Sequence, residues 1–563
     1  MKRLGVTWVH APGPGLKLVL ALALGLVNGL SFAWPGTGQA LWLLQLAALT
    51  GLAACLRPQT PVRQAALLGF AFAWTWIASA TSWLYISMHT YGDLPAVVAV
   101  AAVLALSAFL ALYYGAAMAA FCAWAPPSGL GRAASFAAAW TLAEWMRGTW
   151  LSGFPWAATG YAHIDGPLVG YAPWVGVYGI GALAAFAAAC LSLSASLGPA
   201  PGVVGGDPGV ESAPYKPRGA ARWAAWLLAT LRGQARASRL ALLVIGLLAL
   251  GWVLPGLTTV TPGTPLRVTL LQGAIAQEQK FQPQSGIPQA LSWYGERIRE
   301  ANTSLVVAPE TALPLLPQDL PEGYLDELSL ALQSSGQAAL VGIPLGSMSQ
   351  GYTNAVMGLG PLGAPPYQYH KHHLVPFGEF IPPLFRWFTD LMHIPLGDFA
   401  RGALVQPSFD WQGQRLAPNI CYEDLFGEEL GARFLQPALA PTIMVNFSNM
   451  GWFGNGMAIH QHLHISRMRT LEFARPMIRA TNTGATALIN HRGQVLKALL
   501  RNRPGVLVGE VQGQGLSAAE GWKITPYAWW VSRVGLWPLV GLALAVLLHG
   551  RWRRGWGATR LAP

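Results

Sequence analysis

Charge is scarce in this sequence, and so is cysteine. Only 11% of the 563 residues are Asp, Glu, Lys or Arg, against 53% hydrophobic residues and a mean hydropathy of +0.38. A disordered chain or an ordinary soluble domain carries far more charge, so both are excluded and a multi-pass membrane protein is expected. Of four cysteines, Cys55, Cys122 and Cys190 lie inside apolar runs. Their spacing offers neither a disulfide framework nor a zinc ribbon, and they read as small buried hydrophobes. A G-x-x-x-x-G-K-S/T phosphate loop is absent, so nothing points to a nucleotide, and neither cofactor nor metal is expected. Lys and Arg exceed Asp and Glu by 12. They do not interleave with aromatics as on a nucleic-acid-binding surface, so no nucleic-acid partner is expected.

Long apolar runs, by contrast, are abundant. Runs near the roughly 20 residues needed to cross a hydrocarbon core occur at 16–34, 39–56, 64–88, 95–124, 133–150, 168–195, 238–256 and 527–549. The fold expected is a helical bundle of eight spans, interrupted after the seventh by a long segment of different character. The first run lacks a small-residue cleavage site after it and reads as a retained helix. Lys and Arg resist translocation and collect on the cytoplasmic side. Lys2, Arg3 and Lys17 precede the first span, Arg57 and Arg63 follow the second, and Arg132 follows the fourth. Lys216, Arg218, Arg222, Arg232 and Arg236 follow the sixth, and Arg551, Arg553, Arg554 and Arg560 follow the eighth. The alternate loops carry none. Both termini are therefore expected in the cytoplasm and residues 257–526 outside it. The expected organisation is 1–196 (spans one to six), 197–237 (a basic linker with a short amphipathic piece), 238–256 (span seven), 257–526 (an external domain), and 527–563 (span eight and a basic tail). Glu144 and Arg147, near the outer end of span five, are spaced to pair with each other or to serve a lipid-headgroup cleft.

The external segment alternates apolar β-rich runs with helix-like and Gly/Pro-rich stretches. The runs 266–272, 304–309, 338–344, 415–422 and 441–448 read as strands of an α/β layered domain. In such folds reactive groups sit at strand ends. Glu310 follows one strand in "VVAPETALP", Lys371 lies in "YHKHHLVPFGE", and Cys421 ends "APNICYE". A thiol attacks a carbonyl as thiolate, a partly desolvated carboxylate can take its proton, and an ammonium can hold the oxyanion. Together the three make an acyl-transfer apparatus without metal; singly, each is an ordinary residue.

The ordered motifs "PETALP", "HKHHLVPFGE", "ICYED", "SNMGWFG", "HQHLHISRMRTLEFARP" and "RATNTG" resemble the nitrilase-type domain of the bacterial apolipoprotein N-acyltransferases. The flanking apolar runs extend the resemblance over nearly the whole chain. It implies an αββα sandwich seated on eight helices in the inner membrane, with Glu310 as proton acceptor, Lys371 as oxyanion stabiliser, Cys421 as nucleophile and Glu379 as a supporting carboxylate. It also implies a phospholipid donor, with the sn-1 chain of phosphatidylethanolamine preferred, and a diacylglyceryl apolipoprotein as acceptor. The sequence departs from the family pattern at Met450, where an acid is common.

Other residues stay open between two readings. Tyr422 and Glu423 shape the second-substrate site or make structural hydrogen bonds, and Asn449 is a further candidate. Trp452 and Phe453, with the stretch 377–388, form a lid over a thioester or pack the domain on its helices. His460 and His464 have zinc-ligand spacing, but Gln461 stands where a metalloprotease needs glutamate. Two other functions remain: a membrane-tethered amidase that uses water as acceptor, and a transporter or receptor with a ligand-binding external domain. The few charges inside the spans disfavour the transporter.

Overall fold

The computed structural model describes residues 13–196, 220–257, 261–347, 349, 351–360, 366–382, 399–515 and 524–559. Each of the eight apolar runs contains a helix. These are α1 (Pro14–Leu30), α2 (Trp42–Cys55), α3 (Val62–Ala80), α4 (Ala96–Trp124), α5 (Gly129–Thr149), α6 (Ala172–Ser196), α7 (Ala220–Val253) and, after the α/β region, α11 (Pro526–Val534) with α12 (Trp537–Thr559). Among the described residues, three helices are long and apolar enough to cross a membrane, or up to five if each of two bent pairs counts as one span. The bends are 61° after α3 and 84° between α11 and α12. Most of the expected linker, 197–219, lies outside the described residues, as do Lys2, Arg3, Lys216, Arg218 and Arg560. Residues 220–237 continue into α7 without a break.

Close helix contact follows from small residues. Gly25 and Gly29 of α1 face α3, where a Cβ would come within 2.1 Å of Phe72 O and 1.9 Å of Ser79 Oγ. The Thr75 hydroxyl then donates across the seam to Leu22 O at 2.8 Å.

The intervening region is a nitrilase-like fold of two six-stranded mixed sheets. The first runs β12-β1-β2-β3-β4-β5 and the second β11-β10-β9-β8-β7-β6. The strands are β1 (Pro262–Gln272), β2 (Leu305–Ala308), β3 (Ala338–Ser347), β4 (Gly351–Leu359), β5 (Tyr367–His370), β6 (Phe409–Trp411), β7 (Gln414–Ile420), β8 (Ile443–Ser448), β9 (Met477–Thr481), β10 (Ala487–Ile489), β11 (Val495–Ala498) and β12 (Gly505–Gln514). Parallel trios β1-β2-β3 and β7-β8-β9 form the centres. β2 and β8 are buried along their whole length, as two-sided cover demands of parallel strands. Leu270, Val307, Leu340, Ile420, Val445 and Ile478 pack between the sheets. Helices α8 (Gly286–Glu300) and α9 (Tyr324–Ser334) cover the outer face of the first sheet. Helix α10 (Met457–Phe473) is buried against the helical region, where the Glu472 carboxylate accepts from Val177 N at 2.7 Å.

Glu144 and Arg147 do not pair with each other. Glu144 accepts from the Thr159 amide and hydroxyl, both at 2.6 Å, while Arg147 donates to Tyr114 OH, Phe154 O and Trp156 O. The loop after α5 folds back over both, and its backbone groups take the positions each would otherwise fill with the other's charge.

Candidate active site

Strand ends deliver the candidate groups. β2 stops at Ala308, and the turn that follows carries Glu310 and a left-handed Thr311 (φ 46°). Lys371 comes directly after β5, its amide donating to Asn354 O at 2.8 Å. β7 stops at Ile420, one residue before the nucleophile candidate rather than at it. Cys421 opens a 3-10 turn with φ 51°, a conformation that side-chain-bearing residues rarely adopt.

Lys371 and Glu310 meet, with Glu379 beside them. Lys371 Nζ lies 2.9 Å from Glu379 and 3.7 Å from Glu310 Oε1, with the lysine fully buried. Asn354 Nδ2 donates to Glu310 Oε1 at 2.7 Å and to Glu379 Oε1 at 2.8 Å. The second oxygen of Glu310 accepts from the Asn449 amide at 2.9 Å, and that of Glu379 from the Val375 amide at 2.8 Å. Both carboxylates are thereby fixed in place by donors from separate segments. The Cys421 thiol is near enough to sense Glu310, Lys371 and Glu379. Burial pushes it up to about 12, Glu310 adds to the rise, and Lys371 opposes it. Burial presses on Lys371 in the opposite sense, but Glu379 and Glu310 outweigh it and hold the ammonium above its ordinary value. The arrangement pairs a neutral thiol with a fixed cation, so the thiol must lose its proton as it attacks.

The remaining candidates make contacts around this cluster. Glu423 is enclosed by donors: Ile420 N and His372 N at 2.6 Å, His373 N at 3.2 Å, and Tyr369 OH at 2.8 Å. It ties the Lys371 loop to the cysteine turn from behind. The Tyr422 hydroxyl donates to Gly153 O at 3.1 Å, into the loop after α5. Phe453 packs edge-on to Trp83 at 4.5 Å, at the end of α3. Trp452 is 41% exposed and touches Tyr91 with one edge. Residues 383–388 of the lid candidate lie outside the described residues. His460 and His464 have other partners: Arg501 Nη2 reaches His460 Nδ1 at 3.1 Å, and His464 Nδ1 meets Phe32 O at 3.1 Å. Met450, in place of an acid, is buried with its sulfur 3.1 Å from His462 Nδ1.

Sequence reasoning missed two groups here. Asn354 lies inside the antiparallel strand β4, with no motif around it. Lys280 is buried and donates to Glu310 O at 3.0 Å and to the Thr311 hydroxyl, and burial lowers it to about 8. Its only sequence signal is a lone lysine in a Gln-rich stretch.

Residues 24–190 match the family model for the apolipoprotein N-acyltransferase N-terminal domain, and residues 267–520 match that for carbon–nitrogen hydrolases. The chain is 54% identical over 539 residues to the apolipoprotein N-acyltransferase of Verminephrobacter eiseniae, covering 93% of this chain and 94% of that one. It is 43% identical to that of Ralstonia nicotianae, covering 95% and 93%. A crystal structure of a carbon–nitrogen hydrolase from Helicobacter pylori is similar at 16% identity and a TM-score of 0.33, covering 44% of this chain and 89% of that one.

Proposed function

The chain belongs to the apolipoprotein N-acyltransferases, and from that premise we propose that it moves an acyl chain from a phospholipid to the N-terminal amine of a diacylglyceryl-modified lipoprotein cysteine through a thioester on Cys421. In the first half-reaction Cys421 Sγ attacks the ester carbonyl while Glu310 takes the thiol proton. Lys371, with a backbone N–H beside Cys421, holds the oxyanion. The C–O bond then breaks, Glu310 returns the proton to the departing lysophospholipid oxygen, and the acyl group stays on sulfur. In the second half the free amine attacks the thioester, Glu310 takes a proton from it and passes it to the Cys421 sulfur as the C–S bond breaks, leaving an amide and the free thiol. The ester supplies the driving force, so the cycle is ping-pong and uses no nucleotide. Glu379 keeps Lys371 charged and in place.

The observation that carries this reading is Lys371 Nζ, fully buried at 2.9 Å from Glu379 and 3.7 Å from Glu310, with the Cys421 thiol inside the reach of all three charges. A buried ammonium fixed between two carboxylates is pre-organised for a charge that develops only in the transition state. Phosphatidylethanolamine, through its sn-1 chain, is the proposed donor. The proposed setting is the inner membrane, with eight spans, both termini cytoplasmic and residues 257–526 facing the periplasm. Alternation of Lys and Arg between the short loops supports it. A site at the outer interface spares an acyl chain transfer into water, which costs roughly 0.8 kcal/mol per methylene. Exposed Trp452 and packed Phe453 are proposed to shelter the thioester from hydrolysis.

Incubating the enzyme with phosphatidylethanolamine and weighing the Cys421 peptide tests the proposal. An acyl mass should appear on Cys421 and vanish when a diacylglyceryl lipopeptide with a free amine is added. An active enzyme whose Cys421 never gains mass rules the route out. The match of 267–520 to carbon–nitrogen hydrolases favours one other reading, an amidase with water as acceptor. Release of free fatty acid in preference to N-acyl lipopeptide, with both acceptors present, would select it.

A further inference from the structure

Behind Cys421 lies a buried network that the proposed chemistry does not use. The left-handed backbone at Cys421 persists only where neighbours hold it. One neighbour is His462 on α10, whose Nε2 lies 3.2 Å from the Cys421 carbonyl oxygen. Its other nitrogen, Nδ1, lies 2.9 Å from Arg479 Nη2. A guanidinium has donors and no acceptor, so Nδ1 must offer its lone pair. Burial, and then Arg479, push His462 well below its ordinary value, so the ring is neutral and carries its one hydrogen on Nε2. That hydrogen points at the Cys421 carbonyl. The Met450 sulfur beside Nδ1 has no hydrogen to give and leaves the tautomer to Arg479.

Arg479 is itself immobilised. It donates to Asn446 Oδ1 and Ser466 Oγ, both at 2.7 Å, and to Ala485 O at 3.1 Å, with Asp424 at 3.7 Å. On the far side the His462 ring packs against Trp156, at 5.6 Å between centroids, and the Trp156 indole donates to Gln461 at 2.7 Å. A carbonyl and the N–H that follows it share one planar peptide and point in opposite directions. A donor on Cys421 O therefore also sets the direction of the Tyr422 N–H, the backbone donor beside the nucleophile.

We propose that His462 is a positioning residue for the acyl transfer: its Nε2–H clamps the Cys421 carbonyl and so fixes both the sulfur and the Tyr422 N–H, with Arg479 holding the tautomer. The clamp rests on the reading of Cys421 as nucleophile. The test compares wild type, His462→Gln, His462→Asn and His462→Leu as full-length enzyme in detergent micelles. It measures the rate of acyl-mass gain on Cys421 from phosphatidylethanolamine, the donor concentration at half-maximal rate, and Tm. Gln carries an amide N–H at the depth of Nε2, whereas Asn can accept from Arg479 but is too short to reach the carbonyl. Asn and Leu are expected to slow acylation by at least about tenfold with the half-maximal concentration unchanged, and Gln to recover to within about threefold of wild type. If Leu fails to fold, the contrast between Gln and Asn decides. Asn acylating at the wild-type rate, or Gln no faster than Asn at equal Tm, overturns the clamp alone. Wild-type Cys421 that takes up no acyl mass overturns the nucleophile reading and the clamp with it.

Discussion

The side-chain amide of Asn354 spends both of its hydrogens on carboxylates, donating to Glu310 at 2.7 Å and to Glu379 at 2.8 Å. One residue in the middle of β4 thus spaces the two acids on either side of Lys371. Only the nitrogen can face them, since an amide oxygen would meet two anions. Asn354→Asp would put a third negative charge there, and Asn354→Ala would strip a charge-assisted hydrogen bond from each acid. At roughly 1.5–3 kcal/mol per bond to a charged group, Ala should lower the acylation rate about tenfold or more, and Asp further. Burst kinetics of Cys421 acylation check the order.

Glu310 and Lys371 should separate thiol reactivity from acyl transfer. Negative Glu310 raises the Cys421 thiol and positive Lys371 lowers it. Glu310→Gln removes a raising charge, so alkylation by iodoacetamide at high pH should hold or quicken. Acylation from an ester, which needs the base, should fall by about a hundredfold or more. Lys371→Met removes the lowering charge and should slow both reactions. Matched alkylation and acylation rates on each variant give the comparison.

The pH dependence of alkylation has a definite shape. Cys421 sits at about 12, so the thiolate is a minor species throughout the physiological range. The logarithm of the wild-type alkylation rate should climb steadily with pH and show no plateau near 9, where an unperturbed thiol levels off. In Lys371→Met the whole curve should shift to higher pH. A rate profile between pH 7 and 10.5 reads this directly.

Glu423 and Phe453 are predicted to act on stability, and Trp452 on partition. Glu423→Gln turns one acceptor into a donor among four donors, at a cost of about 1–3 kcal/mol. Phe453→Ala removes a partly buried contact with Trp83, at about 0.5–3 kcal/mol. Both should lower Tm in detergent. Trp452 is 41% exposed and loses little packing. Trp452→Ala should leave Tm close to wild type while raising the ratio of free fatty acid to N-acyl lipopeptide, as measured by chromatography of the products.

Much of this molecule was legible before any coordinate. Eight apolar runs became helices, because a chain that buries or embeds a helix must make it apolar over its length. All five predicted β runs became strands, at nearly the predicted limits, because two-sided burial leaves unbroken hydrophobic stretches that turns must bound. The motifs around Glu310, Lys371 and Cys421 were visible because each falls where a strand ends and a loop begins, and Glu379 lies in the loop that follows Lys371. β4, β5, β6 and β9 to β12 carried no such runs and were missed. The pairing of Glu144 with Arg147 was wrong for a related reason, since helical spacing states which side chains can meet and says nothing of the loop that folds over them. Asn354 and Lys280 stand in no recognisable pattern, and the motifs that hold His462 and Arg479 do not say what either side chain touches. Their roles come from hydrogen bonds between segments as much as 44 residues apart, as from Asn354 to Glu310. Local composition decides which elements form, because that is a matter of solvation along the chain. Which donor meets which acceptor is decided only when two sheets and a helical bundle close on one another, because a buried polar group takes whatever partner the packing brings within 3 Å.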